Sequence, residues 1–146
     1  MKIEYIKGDL LRTEVNHIMH GCNSRGVMGS GVAKVLREKY PQAYNDYIFK
    51  YNNYGLELGD VIVSVQDDGK VIHNAITQRD YGRDSSRVYV SYWAIAESFR
   101  KINSRGIKEI AMPKIGAGLA NGDWNVISAI IENTLIDTKP YVYVLE

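Results

Sequence analysis

Residues 16–33 read N-H-I-M-H-G-C-N-S-R-G-V-M-G-S-G-V-A, an apolar run that opens into a glycine-rich loop and then into a segment with helical periodicity. Residues 107–124 follow the same order as I-K-E-I-A-M-P-K-I-G-A-G-L-A-N-G-D-W, and a second helical pattern follows. A buried strand, a glycine loop and a helix make the unit of an open α/β sheet, where ligands collect at the carboxyl ends of the strands. Two such units in one chain give both a fold class and a place to look for chemistry.

Outward from these stretches, the periodicity predicts alternating elements. Residues 2–7 alternate, with Ile3 and Tyr5 on one face, and form a strand that ends at Gly8-Asp9; residues 16–22 form the second. From Gly31 to Tyr40, Val32, Val35 and Leu36 make an apolar stripe while Lys34, Arg37, Glu38 and Lys39 face out. Pro41 ends that helix and opens the next, over 42–54, since proline is tolerated at a first helical position. Tyr40, Tyr44, Tyr47, Tyr51 and Tyr54 recur at steps of three and four, a packing face. Residues 60–66 and 70–77 read as a hairpin turning at Asp68-Gly69. Residues 88–104 carry a helical stripe of Tyr92, Ile95, Ala96, Phe99 and Ile102. Residues 107–115 are a buried strand in which Pro113 limits pairing, 125–136 a helix and 141–145 the last strand. The expectation is α/β, one domain over 1–146, with a mixed sheet of about six strands.

Composition narrows the function classes. One cysteine in 146 residues excludes a disulfide framework and a Cys-rich zinc site. The 18 Lys+Arg against 17 Asp+Glu leave a net charge of +1, unlike the basic stripe of a dedicated nucleic-acid binder. No 18-residue apolar run and no signal-like start are present. A cytoplasmic monomer with no membrane contact, no metal and no cofactor is expected.

The glycines carry the chemistry. In the first loop they let backbone N–H groups approach an anion, and the helix opening near Gly31 adds its positive dipole end. The spacing is neither G-x-x-x-x-G-K-[ST] nor G-x-G-x-x-G after the first strand, which disfavours a P-loop NTPase and a dinucleotide site. The loop at Gly116–Gly122 offers a second run of amides, and two such loops facing one cleft suit a diphosphate.

Gly8-Asp9-Leu10, Gly21-Cys22-Asn23, Val27 to Ala33 and Met112 to Leu119, in this order and at strand ends, resemble the macro domain, the ADP-ribose-binding three-layer α/β/α fold, over essentially the whole chain. The similarity is greatest to the phage and bacterial branch of ADP-ribose-1''-phosphate phosphatases, and extends to the terminal ADP-ribose–protein glycohydrolases. The resemblance implies that Asp9 accepts a hydrogen bond from the adenine amino group, that Leu10 contacts the same ring through its backbone, and that Tyr143 stacks beside it. It implies that Asn23 faces the distal ribose. Met28, Gly29, Ser30, Gly31 and Val32, with Ile115, Gly116, Ala117, Gly118 and Leu119, would clamp the diphosphate and distal ribose through backbone amides. Cys22 reads as a small core residue.

The relatives' catalytic groups are replaced here. The glycohydrolase branch relies on a lysine where this chain has Gln78 and on an aspartate where it has Ala120; a third branch has an aspartate where this chain has Ala33. Gln78 forms no Schiff-base adduct, and Arg79 stays protonated. Asn23, His20 and Asp80 remain as catalytic candidates, with Arg79 and Arg83 placed to meet a terminal phosphate. The expected function is removal of phosphate from ADP-ribose 1''-phosphate without a metal. The alternatives are a non-catalytic reader of ADP-ribose or ADP-ribosylated protein, and a hydrolase releasing ADP-ribose from acidic side chains.

Overall fold

The computed structural model describes residues 1–145. Its strands are β1 (Glu4–Lys7), β2 (His17–Asn23), β3 (Val61–Val65), β4 (Val71–Gln78), β5 (Glu109–Met112) and β6 (Lys139–Val144). Its helices are α1 (Gly31–Lys39), α2 (Pro41–Tyr54), α3 (Tyr92–Asn103) and α4 (Trp124–Thr134), with a single 3-10 turn at Leu10–Arg12. The strands form one sheet in the order β1-β6-β5-β2-β4-β3. Every neighbouring pair is parallel except β3 with β4, the hairpin expected at Asp68-Gly69.

Alternating side chains commit the two faces of the sheet to different helices. Ile18, Ile72 and Ala111 pack against Leu36, Tyr40 and Ala43 of the α1–α2 layer. Met19, Ala75, Ile110 and Met112 pack against Ile95, Phe99 and Ile102 of α3 and Ile127 and Ile131 of α4. The result is the three-layer α/β/α arrangement, with the parallel strands β2, β4 and β5 covered on both sides as such strands require.

Four local readings change. The third helix begins at Tyr92 rather than 88, because Ser91 caps it by accepting from Ala94 N at 3.2 Å and Val90 is drawn into a bridge with Gln78. The fifth strand stops at Met112, the residue before Pro113, where the ladder loses its donor. In α1 only Leu36 is buried; Val32 and Val35 are 40% and 48% exposed, because this helix starts at the lip of a groove and turns them into it. The tyrosine stripe divides: Tyr40 and Tyr47 are buried, whereas Tyr51 and Tyr54 lie on the surface.

Candidate functional site

The carboxyl ends of β1, β6, β5, β2 and β4 open onto two adjoining cavities. The ends of β1 and β6 give one of about 630 Å³, walled by Gly8, Asp9, Leu10, Val32, Val35 and Tyr143. The ends of β2, β4 and β5 give another of about 290 Å³, walled by Asn23, the Gly29–Ala33 segment, Thr77, Gln78, Tyr81 and the second glycine loop. Gly31, Val32, Pro113 and Lys114 belong to both walls, so the cavities form one groove with a waist between α1 and the end of β5.

At the larger end, Asp9 is the N-cap of the 3-10 turn, where its Oδ1 accepts from Leu11 N at 2.9 Å. Its other carboxylate oxygen has no partner among the described residues. The Tyr143 hydroxyl lies 2.7 Å from Thr13 Oγ1, which fixes the ring as a flat apolar surface in the same wall. This end joins one exposed carboxylate acceptor to apolar walls from Val32 and Val35, a combination suited to a planar, amino-bearing heterocycle.

At the waist, helix α1 starts at Gly31 behind Ser30, whose side chain makes no capping bond. The amides of Gly31 and Val32 therefore point at open space with the helix dipole behind them. Opposite, Gly116 sits at φ +79, a conformation that admits glycine, in a pocket where a Cβ would meet Val90 Cγ2 at 2.9 Å and Ile127 Cδ1 at 3.0 Å. Gly122 N closes this loop onto Gly116 O at 2.7 Å. The amides of Gly118 and Leu119 have no partner among the described residues and line the smaller cavity. A Cβ on Gly31 would lie 3.8 Å from Leu119 Cδ1, so the two loops face each other at van der Waals distance.

The distal end differs more from expectation. Asn23 follows a register shift in the β2–β4 ladder and reaches the wall, but its side chain also builds its own loop. Its Nδ2 donates to Val27 O at 2.8 Å, while its Oδ1 accepts from Arg25 N at 3.0 Å and Tyr47 Oη at 3.1 Å. One amide hydrogen of Asn23 remains to meet a ligand. His20 is 1% exposed, its Nε2 lies 2.6 Å from Asn74 Oδ1, and burial pushes its pKa down to about 4. His20 does touch the wall of the distal cavity, but a neutral ring with Nε2 engaged by Asn74 is a packed histidine and a poor catalytic base. Cys22 lies beside it, buried, and burial pushes its thiol pKa up, leaving it inert.

Three further expectations are corrected. Asp80 lies outside both cavity walls; Arg25 and then Arg87 hold its carboxyl below the usual range, so it is no general base. Met28 lies outside both cavity walls, its side chain 1% exposed and packed with Cys22, Tyr47 and Ile76. Ala117 N is spent on Lys114 O at 3.2 Å inside the turn. Asp123 caps α4 through Asn125 N at 2.9 Å, and Asn74 ties His20 to the backbone of Ala43 and Ile62.

Sequence reasoning missed Lys114 at the waist; Tyr81 and Gly82, in the loop that carries Arg83, also line the distal cavity. Lys114 was legible as the strand-end residue before Ile115; Tyr81 and Gly82 sit in a polar loop with no periodic signal.

Comparison with known proteins agrees with this geometry. The chain is 32% identical over 143 residues to an uncharacterized 17.5 kDa protein of Enterobacteria phage T4, covering 90% of this chain and 89% of that one. It is 29% identical over 136 residues to the ADP-ribose 1''-phosphate phosphatase of Candida albicans, covering 84% and 86% respectively. A solved structure of a protein of unknown function from Bacteroides thetaiotaomicron superposes with a TM-score of 0.87 at 29% identity, over 98% of both chains. The Macro domain family model matches residues 19–131, and the chain belongs to that family.

Proposed function

We propose that the groove binds ADP-ribose and that the chain hydrolyses the phosphate monoester of ADP-ribose 1''-phosphate. The observation that carries this reading is the shared waist. A nucleotide-sized apolar cavity with one carboxylate acceptor joins a smaller, more polar cavity through Gly31, Val32, Pro113 and Lys114, where unpartnered amides and a helix start favour a diphosphate. The fungal relative of nearly the same span carries that phosphatase name.

In this reading adenine lies between Tyr143 and Val35, with its amino group donating to the free oxygen of Asp9. The diphosphate crosses the waist against the amides of Gly31 and Val32 and below Lys114. The distal ribose reaches Asn23, Gly118 and Leu119. Phosphoryl transfer from a monoester has a loose transition state, so positioning and charge stabilisation do most of the catalysis. Water attacks phosphorus, the P–O bond to the ribose C1'' oxygen breaks, that oxygen takes up the water's proton by way of the phosphate oxygens, and ADP-ribose and inorganic phosphate leave. No Asp or Glu lines the distal cavity among the described residues, so the substrate's own phosphate oxygens take the proton from the attacking water.

The same feature supports a second reading, a non-catalytic reader of ADP-ribose, because a site without a poised base suits binding alone. Phosphate release from ADP-ribose 1''-phosphate at micromolar protein separates the two. Release above the protein-free rate is expected; tight binding with background release leaves the reader. Loss of label from ADP-ribosylated protein without phosphatase activity would point instead to cleavage at acidic side chains.

A further inference from the structure

Beyond the rim of the distal cavity, one carboxylate holds two guanidinium groups. Arg25 Nε and Nη2 both reach Asp80 Oδ1, at 2.8 and 2.6 Å, and Arg87 Nη2 reaches Oδ2 at 2.8 Å. Arg87 also lies over the Tyr89 ring, 4.7 Å from its centre. Arg25 comes two residues after Asn23, and Asp80 stands between Gln78 and Tyr81; all three flanking residues line the distal cavity. The trio therefore borders the distal cavity from outside its wall.

Stability does not account for this arrangement. The arginine side chains are 60% and 53% exposed, and ion pairs that open to water contribute about 0–1 kcal/mol. The trio keeps a net charge of +1, and each guanidinium has five N–H donors, of which Asp80 takes only some. Asp80 engages both forks and Tyr89 lies under that of Arg87, which lowers the side-chain freedom lost when an anion arrives. Planar guanidinium forks match phosphate oxygens in pairs. Arg79 and Arg83, exposed on the same loop as Asp80, add positive charge.

We propose that Arg25 and Arg87, yoked by Asp80, hold the phosphate monoester carried on C1'' of the distal ribose, the group that the reaction removes. This subsite, rather than the amide loops, distinguishes a phosphorylated ligand from ADP-ribose itself. The proposal rests on the reading of the groove as an ADP-ribose site, and Asp80 acts in it as a positioning residue.

The test compares the affinities of ADP-ribose and ADP-ribose 1''-phosphate by calorimetry, for the native chain and for an Arg25→Gln/Arg87→Gln double variant. The native chain is expected to prefer the phosphorylated ligand by roughly 10-fold or more, the usual scale for a hydrogen bond to a charged group. That preference should shrink on raising salt. The double variant is expected to bind ADP-ribose as the native chain does and to lose the preference, while Arg25→Lys/Arg87→Lys recovers part of it. Unchanged ADP-ribose affinity also shows that the variant is folded. A preference that survives in the double variant, or that is absent from the native chain, overturns the subsite while the groove reading stands. A native chain that binds neither ligand overturns the groove reading and the subsite with it.

Discussion

The hydroxyl of Tyr143 and Thr13 Oγ1 lie 2.7 Å apart, a bond between the last strand and the segment after the 3-10 turn. It holds the Tyr143 ring in the same cavity wall as Asp9, so a stacking surface and a carboxylate acceptor stand together in one pocket.

Asp9→Ala is expected to weaken ADP-ribose binding by about 1–3 kcal/mol, the effect of losing a hydrogen bond to a charged group. It should also lower stability by about 0.5–2 kcal/mol through the lost cap on Leu11 N. Asp9→Asn separates the two effects: the amide oxygen can keep the cap, and the new NH2 faces another amino group. Calorimetry and urea unfolding check this. Equal affinity in all three proteins removes Asp9 from the adenine contact.

The second glycine loop predicts opposite outcomes at two nearby positions. Gly118 has nothing within 4 Å of a built Cβ, so Gly118→Glu should fold normally and lose ADP-ribose binding, through bulk and like charge beside the diphosphate. Gly116→Ala must crowd Val90 and Ile127 at a positive φ, and should destabilise the fold by about 1–3 kcal/mol. Melting temperature and ligand titration on both variants test the pair. Normal binding by folded Gly118→Glu contradicts the loop's place in the site.

Burial keeps His20 neutral, with its pKa pushed down to about 4, and pushes His73 down to about 3. An unfolded histidine titrates near 6.5, so between that pH and the folded value the unfolded state binds more protons. Stability is therefore fully present above about pH 6.5 and falls as pH drops toward 4, with His20 contributing roughly 3 kcal/mol of the loss. Urea midpoints between pH 7.5 and 4.5 measure the slope. His20→Gln should flatten it; an unchanged slope in that variant assigns the loss to other groups.

Asn23 couples loop order to the distal ribose. Asn23→Ala removes the acceptor for Arg25 N and the donor to Val27 O, and should cost the loop about 1–3 kcal/mol. ADP-ribose affinity should fall while AMP, which fills only the adenine cavity, binds as before. Equal losses for both ligands would mean that the variant disturbs the whole groove.

The order of strands and helices was legible because the helices carry a period near 3.6 and the buried strands read as short apolar runs, and the two glycine loops fell where those patterns stopped. Tertiary context decided the remainder. Val32 and Val35 are apolar at helical spacing whether they meet the core or a groove, and periodicity cannot tell one from the other. The 3-10 turn at Leu10–Arg12 is too short to show a period. His20 and Asp80 looked alike as titratable residues near strand ends. Asn74 on the neighbouring strand buries the purpose of the first, and Arg25 and Arg87, 55 and 7 residues away, claim the second.

The central claim is that the two joined cavities hold one ADP-ribose molecule, and titration calorimetry of the native chain against ADP-ribose, AMP and ribose 5-phosphate tests it most directly. The account predicts one site per chain, with ADP-ribose bound far more tightly than either fragment because it alone spans the waist. AMP binding as tightly as ADP-ribose, or no binding of ADP-ribose at all, would contradict it.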